Sequence, residues 1–128
     1  VMNETIVSMQ GVTPILRMYD IKKTKAFYLE FLGFQLDWEH RFEPGLPLYM
    51  QVSHSNCKIH LSEHHGDCSP GAAIRIPIRN IETFHQNLLA TNYKYARPGL
   101  ETAPWQAREV TVLDPAGNRL VFTEPLQT

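Results

Sequence analysis

Apolar and polar positions alternate along this chain in an order that occurs twice. The first ten residues are polar, mixed and without period, so they read as an arm. Thr13 to Tyr19 then alternates as a strand, and Asp20 follows as a helix N-cap whose carboxylate accepts from free backbone amides. Phe27 with Phe31 and Tyr28 with Leu32, each pair at spacing four, predict a helix from about Ile21 to Leu32, stopped by Gly33. Three strands are expected next, Phe34–Arg41, Leu48–Ser53 and Lys58–Glu63, separated by the turn-rich stretches Glu43-Pro44-Gly45 and Ser53-His54-Ser55-Asn56. A polar loop, His64–Gly71, closes this unit.

The same order then starts again. Ala72–Arg79 alternates as a strand, Asn80 is placed to cap, and Ile81, Phe84, Leu88 and Leu89 give the stripe of an amphipathic helix. A short strand near Tyr93–Ala96 is expected, then a long Pro-containing loop through Pro104 and two strands, Glu109–Leu113 and Arg119–Glu124. Between those two, Asp114-Pro115-Ala116-Gly117-Asn118 carries Pro and Gly for a tight reversal. The pattern therefore predicts an α+β fold of two βαβββ modules about 60 residues apart. Module 1 covers about residues 12–64 and module 2 about 72–125, within one domain over 1–128.

Alternation also separates the two faces of each sheet. Leu16, Met18, Ile59, Leu61, Ile74, Ile76, Ile78, Val110, Val112, Leu120 and Phe122 share the parity expected to face the helices. The opposite parity collects Thr13, Ile15, Arg17, Lys58, His60, Ser62, Ala73, Arg75, Glu109, Thr111, Arg119, Val121 and Thr123. Sheet faces of this polarity are commonly just wet. Here Trp38, Tyr49 and Trp105 fall in edge or connecting positions around it, and a polar face rimmed by aromatics suits a ligand cleft.

Composition narrows the classes. Twelve basic against thirteen acidic side chains in 128 residues give a net charge of -1, without the basic excess of a phosphate-binding surface, so no nucleic-acid partner is expected. No apolar run approaches the roughly 20 residues that span a bilayer, and Val1-Met2-Asn3-Glu4 does not resemble an export signal, so no membrane partner and a cytoplasmic location are expected. Cys57 and Cys68 are too few for a disulfide framework and are expected reduced.

Several stretches resemble the vicinal oxygen chelate superfamily, which groups glyoxalases, bleomycin-resistance proteins and dioxygenases. The resemblance runs from Thr13 to Pro125. It rests on Asp20-Ile21 leading to Ala26-Phe27-Tyr28 and Leu32-Gly33-Phe34, and on the terminal Asp114-Pro115-Ala116-Gly117-Asn118-Arg119-Leu120. His60-Leu61-Ser62-Glu63-His64-His65-Gly66-Asp67 with Pro70-Gly71, and Pro98-Gly99-Leu100-Glu101 with Pro104-Trp105, are similar to the bleomycin-resistance branch. The resemblance implies that each module curls into half an open barrel of mixed sheet with its helix on the convex face, and that a homodimer completes the cleft. It also places the metal-ligand positions of the superfamily's enzymes on Thr13, His60, Ala73 and Val121. Only His60 has a ligand side chain, whereas a catalytic ion needs about three protein ligands.

Other chemistries find little support in their residues. Glu63, His64, His65 and Asp67 concentrate ligand types, but neighbours in extended or loop backbone point apart, and Glu63 and Asp67 are expected to fix the loop by hydrogen bonds to backbone amides. Cys57 and Cys68 have His54, His60 and His65 nearby in sequence without any oxyanion arrangement. Gly66 and Gly71 lack the strand-loop-helix context of a phosphate cradle. As the resemblance to bleomycin-resistance proteins implies, the function expected is a binding protein with no metal, cofactor or catalytic residue, sequestering an antibiotic-like, hydrogen-bonding aromatic molecule. Trp38 and Trp105 would stack, with Arg17, Tyr49, His60, Arg75, Arg108 and Glu109 orienting the ligand. With arginines on the inner face, the cleft is not the acidic one that a cationic glycopeptide favours. The alternatives are a metal-dependent lyase, isomerase, dioxygenase or thiol transferase with displaced ligands, and a dimeric module that binds another protein.

Overall fold

The computed structural model describes residues 6–126, so residues 1–5 of the expected arm and the last two residues of the expected domain lie outside the described part. Residues 6–14 carry neither helix nor strand. Module 1 runs β1 (Ile15–Arg17), α1 (Ile21–Lys25, widening into a π-helical stretch over Ala26–Phe31), β2 (Gln35–His40), β3 (Tyr49–His54) and β4 (Cys57–Ser62). Module 2 runs β5 (Ala73–Pro77), α2 (Ile81–Ala90), β6 (Glu101–Ala103), β7 (Ala107–Leu113) and β8 (Arg119–Pro125). The sheets have the orders β1-β4-β3-β2 and β5-β8-β7-β6, which are the same order shifted by one module. In each, the first strand pairs in parallel with the last, Leu16 opposite Leu61 and Ile76 opposite Phe122, while the remaining pairs are antiparallel. The fold is the α+β pair of βαβββ modules that the alternation predicts, with no closed barrel.

Parity decides what is buried. Leu16, Met18, Ile59, Leu61, Val110, Val112, Leu120 and Phe122 are all buried in one cluster with Phe27, Tyr28, Phe31, Ile81 and Leu88 of the helical segments. Ile74, Ile76 and Ile78 are only partly buried, because all three line an open groove. The modules thus share a single core, and a full side chain of this kind contributes about 1.5–3 kcal/mol on burial.

The two helices are capped by different means. Asp20 caps α1 by accepting from the Lys23 amide at 2.9 Å. Lys25, one of three lysines crowding this first turn, pairs with Glu39 of β2. The far end widens so that the Leu32 amide donates to the Phe27 carbonyl at 3.0 Å, and Gly33, at φ +81°, lets the Phe34 amide reach the Tyr28 carbonyl at 2.8 Å. Asn80 corrects the expected cap: it sits in the left-handed region at φ 61°, which Asn tolerates, and its side chain makes no cap bond. Glu124 of β8 does the capping instead, its two carboxylate oxygens accepting from the Asn80 and Ile81 amides at 3.0 Å each.

Those two amides, first among the bonds involved, lower the Glu124 pKa below its ordinary value. A carboxylate lowered on folding stabilises the native state above its unfolded pKa, and the contribution disappears as pH falls through the lower, folded one. The thermal midpoint of Glu124→Gln is therefore expected to lie below that of the parent at pH 7, with the gap narrowing below pH 4. A constant gap across that range would show that the amides do not depend on the charge.

The expected strand near Tyr93–Ala96 is absent. Tyr93 turns inward, stacked on Phe31 with centroids 4.5 Å apart and packed edge-on against Phe27. The strand lies instead at Glu101–Ala103, inside what the sequence suggested was loop, and pairs with β7 through Thr102 opposite Arg108. Pro98 and Pro104 flank but do not enter it, and three residues free of Pro are enough for one turn of ladder.

Candidate functional site

The face opposite the core carries two separate walls, one on each sheet. On module 1, a register shift between Leu36 and Trp38 makes Asp37 the extra residue of a β-bulge against β3. Without it Trp38 would share the inward parity of Leu36; with it, Trp38 pairs with Gln51 and faces outward, 42% exposed. The indole stacks on the Tyr49 ring at 6.0 Å with only 10° between planes and meets the His60 ring edge-on at 5.3 Å. Phe42, His40 and His64 extend this aromatic surface, His64 lying 6.4 Å from the Tyr49 ring.

Beside the rings runs a hydrogen-bond chain with one possible direction. Asp37 only accepts, so Gln51 must turn its amide nitrogen toward Asp37 Oδ2, at 2.9 Å. That leaves Gln51 Oε1 toward His60 Nε2 at 2.9 Å, which must carry the proton. His60 Nδ1 is then the acceptor, and Tyr49 donates its hydroxyl proton to it at 2.7 Å. Burial, with Lys58 nearby, lowers the His60 pKa and keeps the ring neutral; burial likewise raises the Tyr49 phenol. Hydrogen bonds from Gln51 first, then Ser53 and Gln35, hold Asp37 below the usual carboxylate range.

On module 2, Glu109 collects three donors on Oε2: the Arg75 guanidinium, the Trp105 indole N–H at 3.0 Å and the Thr123 hydroxyl at 2.9 Å. The indole donation first, then Arg75 and Thr123, keep this carboxyl below its ordinary pKa. Trp105, 61% exposed, occupies the tight β6–β7 turn next to Gln106 at φ 63°, and Arg75 lies over its ring at 5.7 Å. The hairpin missed in the sequence is thus what presents the second indole.

Six of the eight residues expected at the site fall into these walls: Trp38, Tyr49 and His60 in one, Arg75, Trp105 and Glu109 in the other. Two do not. Arg17 is 5% exposed and donates to the carbonyls of Ser62, His65 and Cys68, which ties down the loop beneath it. Arg108 has the parity of Val110, on the helix side, and pairs with Glu82 of α2. Gln51 and Asp37 were not foreseen, although the alternation of β3 places Gln51 beside Tyr49 on the open face.

Metal chemistry at the family positions does not fit this donor set. Thr13, Ala73 and Val121 offer no ordinary ligand, and both His60 nitrogens are occupied by Tyr49 and Gln51. Among the described residues no group of three His, Cys, Asp or Glu side chains converges. Glu63 accepts from the Leu48 amide at 2.8 Å, as expected of a loop-fixing carboxylate, whereas Asp67 accepts from the Ser62 hydroxyl at 2.6 Å rather than from an amide. Cys57 and Cys68 are both free thiols, and burial raises the Cys57 pKa, which disfavours a thiolate there. No helix among the described residues is long and apolar enough to cross a membrane. A groove of about 950 Å³ lies between the β3–β4 hairpin end of module 1 and β5 with α2 of module 2, with Phe34, Ile76, Ile78 and Phe84 in its lining and Arg75 the one member of the two walls that reaches it.

The backbone is shared with proteins of known structure. An antibiotic binding protein, TnmS3, from Streptomyces sp. CB03234 superposes with a TM-score of 0.70 at 20% identity, over 93% of this chain and 98% of that one. The bleomycin-binding protein from Streptomyces verticillus, solved with copper(II)-bleomycin, gives 0.69 at 22% identity, over 96% and 100%. A glyoxalase-related enzyme from Clostridium phytofermentans gives 0.70 at 21% identity, over 94% and 98%, so the fold by itself is common to binders and enzymes. No curated protein sequence matches this chain. The family model described as glyoxalase superfamily protein matches residues 2–128, the whole of both modules, and the chain belongs to the glyoxalase superfamily.

Proposed function

We propose that this chain is a metal-free binding protein that sequesters an antibiotic-like, hydrogen-bonding aromatic molecule in the cytoplasm. The observation that carries this reading is the saturation of His60. The one side chain at a family ligand position is held neutral, with both nitrogens bonded, as part of the support for a stacked Trp38–Tyr49 pair. A residue so bound serves a surface better than an ion. Neighbours of the same fold include bleomycin-binding proteins and an antibiotic binding protein, which supports the ligand class.

The cleft we propose lies at a homodimer interface, with the module 1 wall of one chain opposite the module 2 wall of its partner. Each wall has one indole and lies on a different sheet, and neither encloses a ligand alone. Strands β1, β2, β5 and β6 are sheet edges, and Ile6, Val7, Met9 and Val12 of the N-terminal segment are exposed apolar side chains that association would cover. Of the arginines expected to orient the ligand, Arg17 is engaged with carbonyls and Arg108 with Glu82, both away from the walls, while the charge of Arg75 is paired with Glu109 within the module 2 wall.

Calorimetric titration with copper(II)-bleomycin and with daunorubicin, on protein purified without chelator and analysed for metals, tests the reading. Saturable heat at one ligand per wall pair, with the drug recovered chemically unchanged, is the expected result. Stoichiometric zinc, iron, nickel or manganese in the protein, or a ligand consumed during titration, would replace it with a metal-dependent enzyme.

A further inference from the structure

We infer that Tyr49 Oη is a fixed hydrogen-bond acceptor on the module 1 wall, and that the ligand stacked on Trp38 presents an N–H or O–H donor at its ring edge. This rests on the binding reading above and names the chemistry of the molecule bound. The polarity is set from the far end of the chain of bonds. Asp37 accepts from Gln51, Gln51 accepts from His60, and His60 accepts from Tyr49. Each group has one remaining orientation once its neighbour is fixed, so the Tyr49 proton is committed inward. What the hydroxyl offers beyond the wall is lone pairs alone.

A site with a committed acceptor discriminates by more than attraction. A ligand edge that cannot donate removes water from Tyr49 Oη without replacing its hydrogen bond, and that loss is what lets polar sites reject analogues that apolar pockets accept. Stacking supplies affinity with little preference among flat rings. Selection then falls on Tyr49, with Asp37 and Gln51 as positioning residues that hold its proton turned in.

Two dyes separate these effects. Proflavine and acridine orange, both used as their N10-methyl salts, share a flat acridinium ring without a ring N–H, but the exocyclic amino groups of the first donate while those of the second are fully methylated. Quenching of tryptophan fluorescence should show proflavine bound about tenfold more tightly, although acridine orange is the more apolar of the two. Tyr49→Phe keeps the ring and should weaken proflavine about tenfold while leaving acridine orange within about threefold. Asp37→Ala frees Gln51 to flip and should narrow the preference, whereas Asp37→Glu should restore part of it. Equal affinity for the two dyes in the parent protein, or a preference unchanged in both Tyr49→Phe and Asp37→Ala, overturns the inference and leaves the binding reading intact. Absence of quenching by either dye up to millimolar concentration overturns both.

Discussion

Asp114→Ala is expected to lower the unfolding free energy by about 3–5 kcal/mol, a large part of the roughly 5–15 kcal/mol that a domain possesses. The carboxylate is buried and accepts four bonds: Ala116 and Asn118 amides on Oδ1, and the Tyr28 hydroxyl and Asn118 side-chain amide on Oδ2. Alanine leaves all four donors in place. Tyr28 and Asn118 are fully buried, so water does not easily replace the acceptor they lose. Burial first, then the Asp114 charge and hydrogen bond, already push the Tyr28 phenol well above its ordinary pKa, so it stays a donor across the working pH range.

The same residue joins the modules. Tyr28 belongs to the helical segment of module 1, Asp114 to the last turn of module 2, and Asn118 also donates to the Arg17 carbonyl at 2.9 Å. Tyr28→Phe removes one donor and leaves Asp114 three, so its cost should be about 1–2 kcal/mol. Urea unfolding read at constant slope separates the two variants. A cost for Asp114→Ala no larger than that for Tyr28→Phe would mean that the turn refolds around the loss and that the network does not tie the modules.

This turn also marks the limit of what letters reveal. Pro115 and Gly117 announce a reversal, and the helix spacing of Phe27 and Tyr28 announces a buried face. That Tyr28 and Asp114, 86 positions apart, share a hydrogen bond is a property of the packed modules and not of either stretch. The core face was legible because strand alternation is local and strict, and Leu16, Ile59, Val110 and Leu120 all lie where parity put them. The open face was less so. Trp38 reaches it through a bulge at Asp37 that no glycine or proline signals, and Trp105 reaches it through a hairpin that two prolines disguise as loop. Parity also assigned Arg17 to the open face without showing that three carbonyls would claim its guanidinium. A side chain long enough to fold back is not placed by the strand that carries it.

A heterodimer of one Trp38→Ala and one Trp105→Ala chain is expected to regain parental ligand affinity at one of its two clefts. Each variant alone should bind about 10- to 30-fold more weakly, since each indole supplies one stacking face of the proposed cleft. In a dimer whose clefts join module 1 of one chain to module 2 of the other, the mixed pair concentrates both defects in one cleft. The other combines an intact Trp38 with an intact Trp105. If each cleft were built from one chain, every site in the mixture would carry one defect and no tight binding would return. Co-refolding the two variants, isolating the heterodimer by differing affinity tags, and titrating it by calorimetry counts the tight sites directly. Half-stoichiometric tight binding establishes the shared cleft, while uniformly weak binding confines each site to a single chain. A chain that stays monomeric at the titration concentration removes the shared cleft altogether, and the two walls would then act as separate, open surfaces.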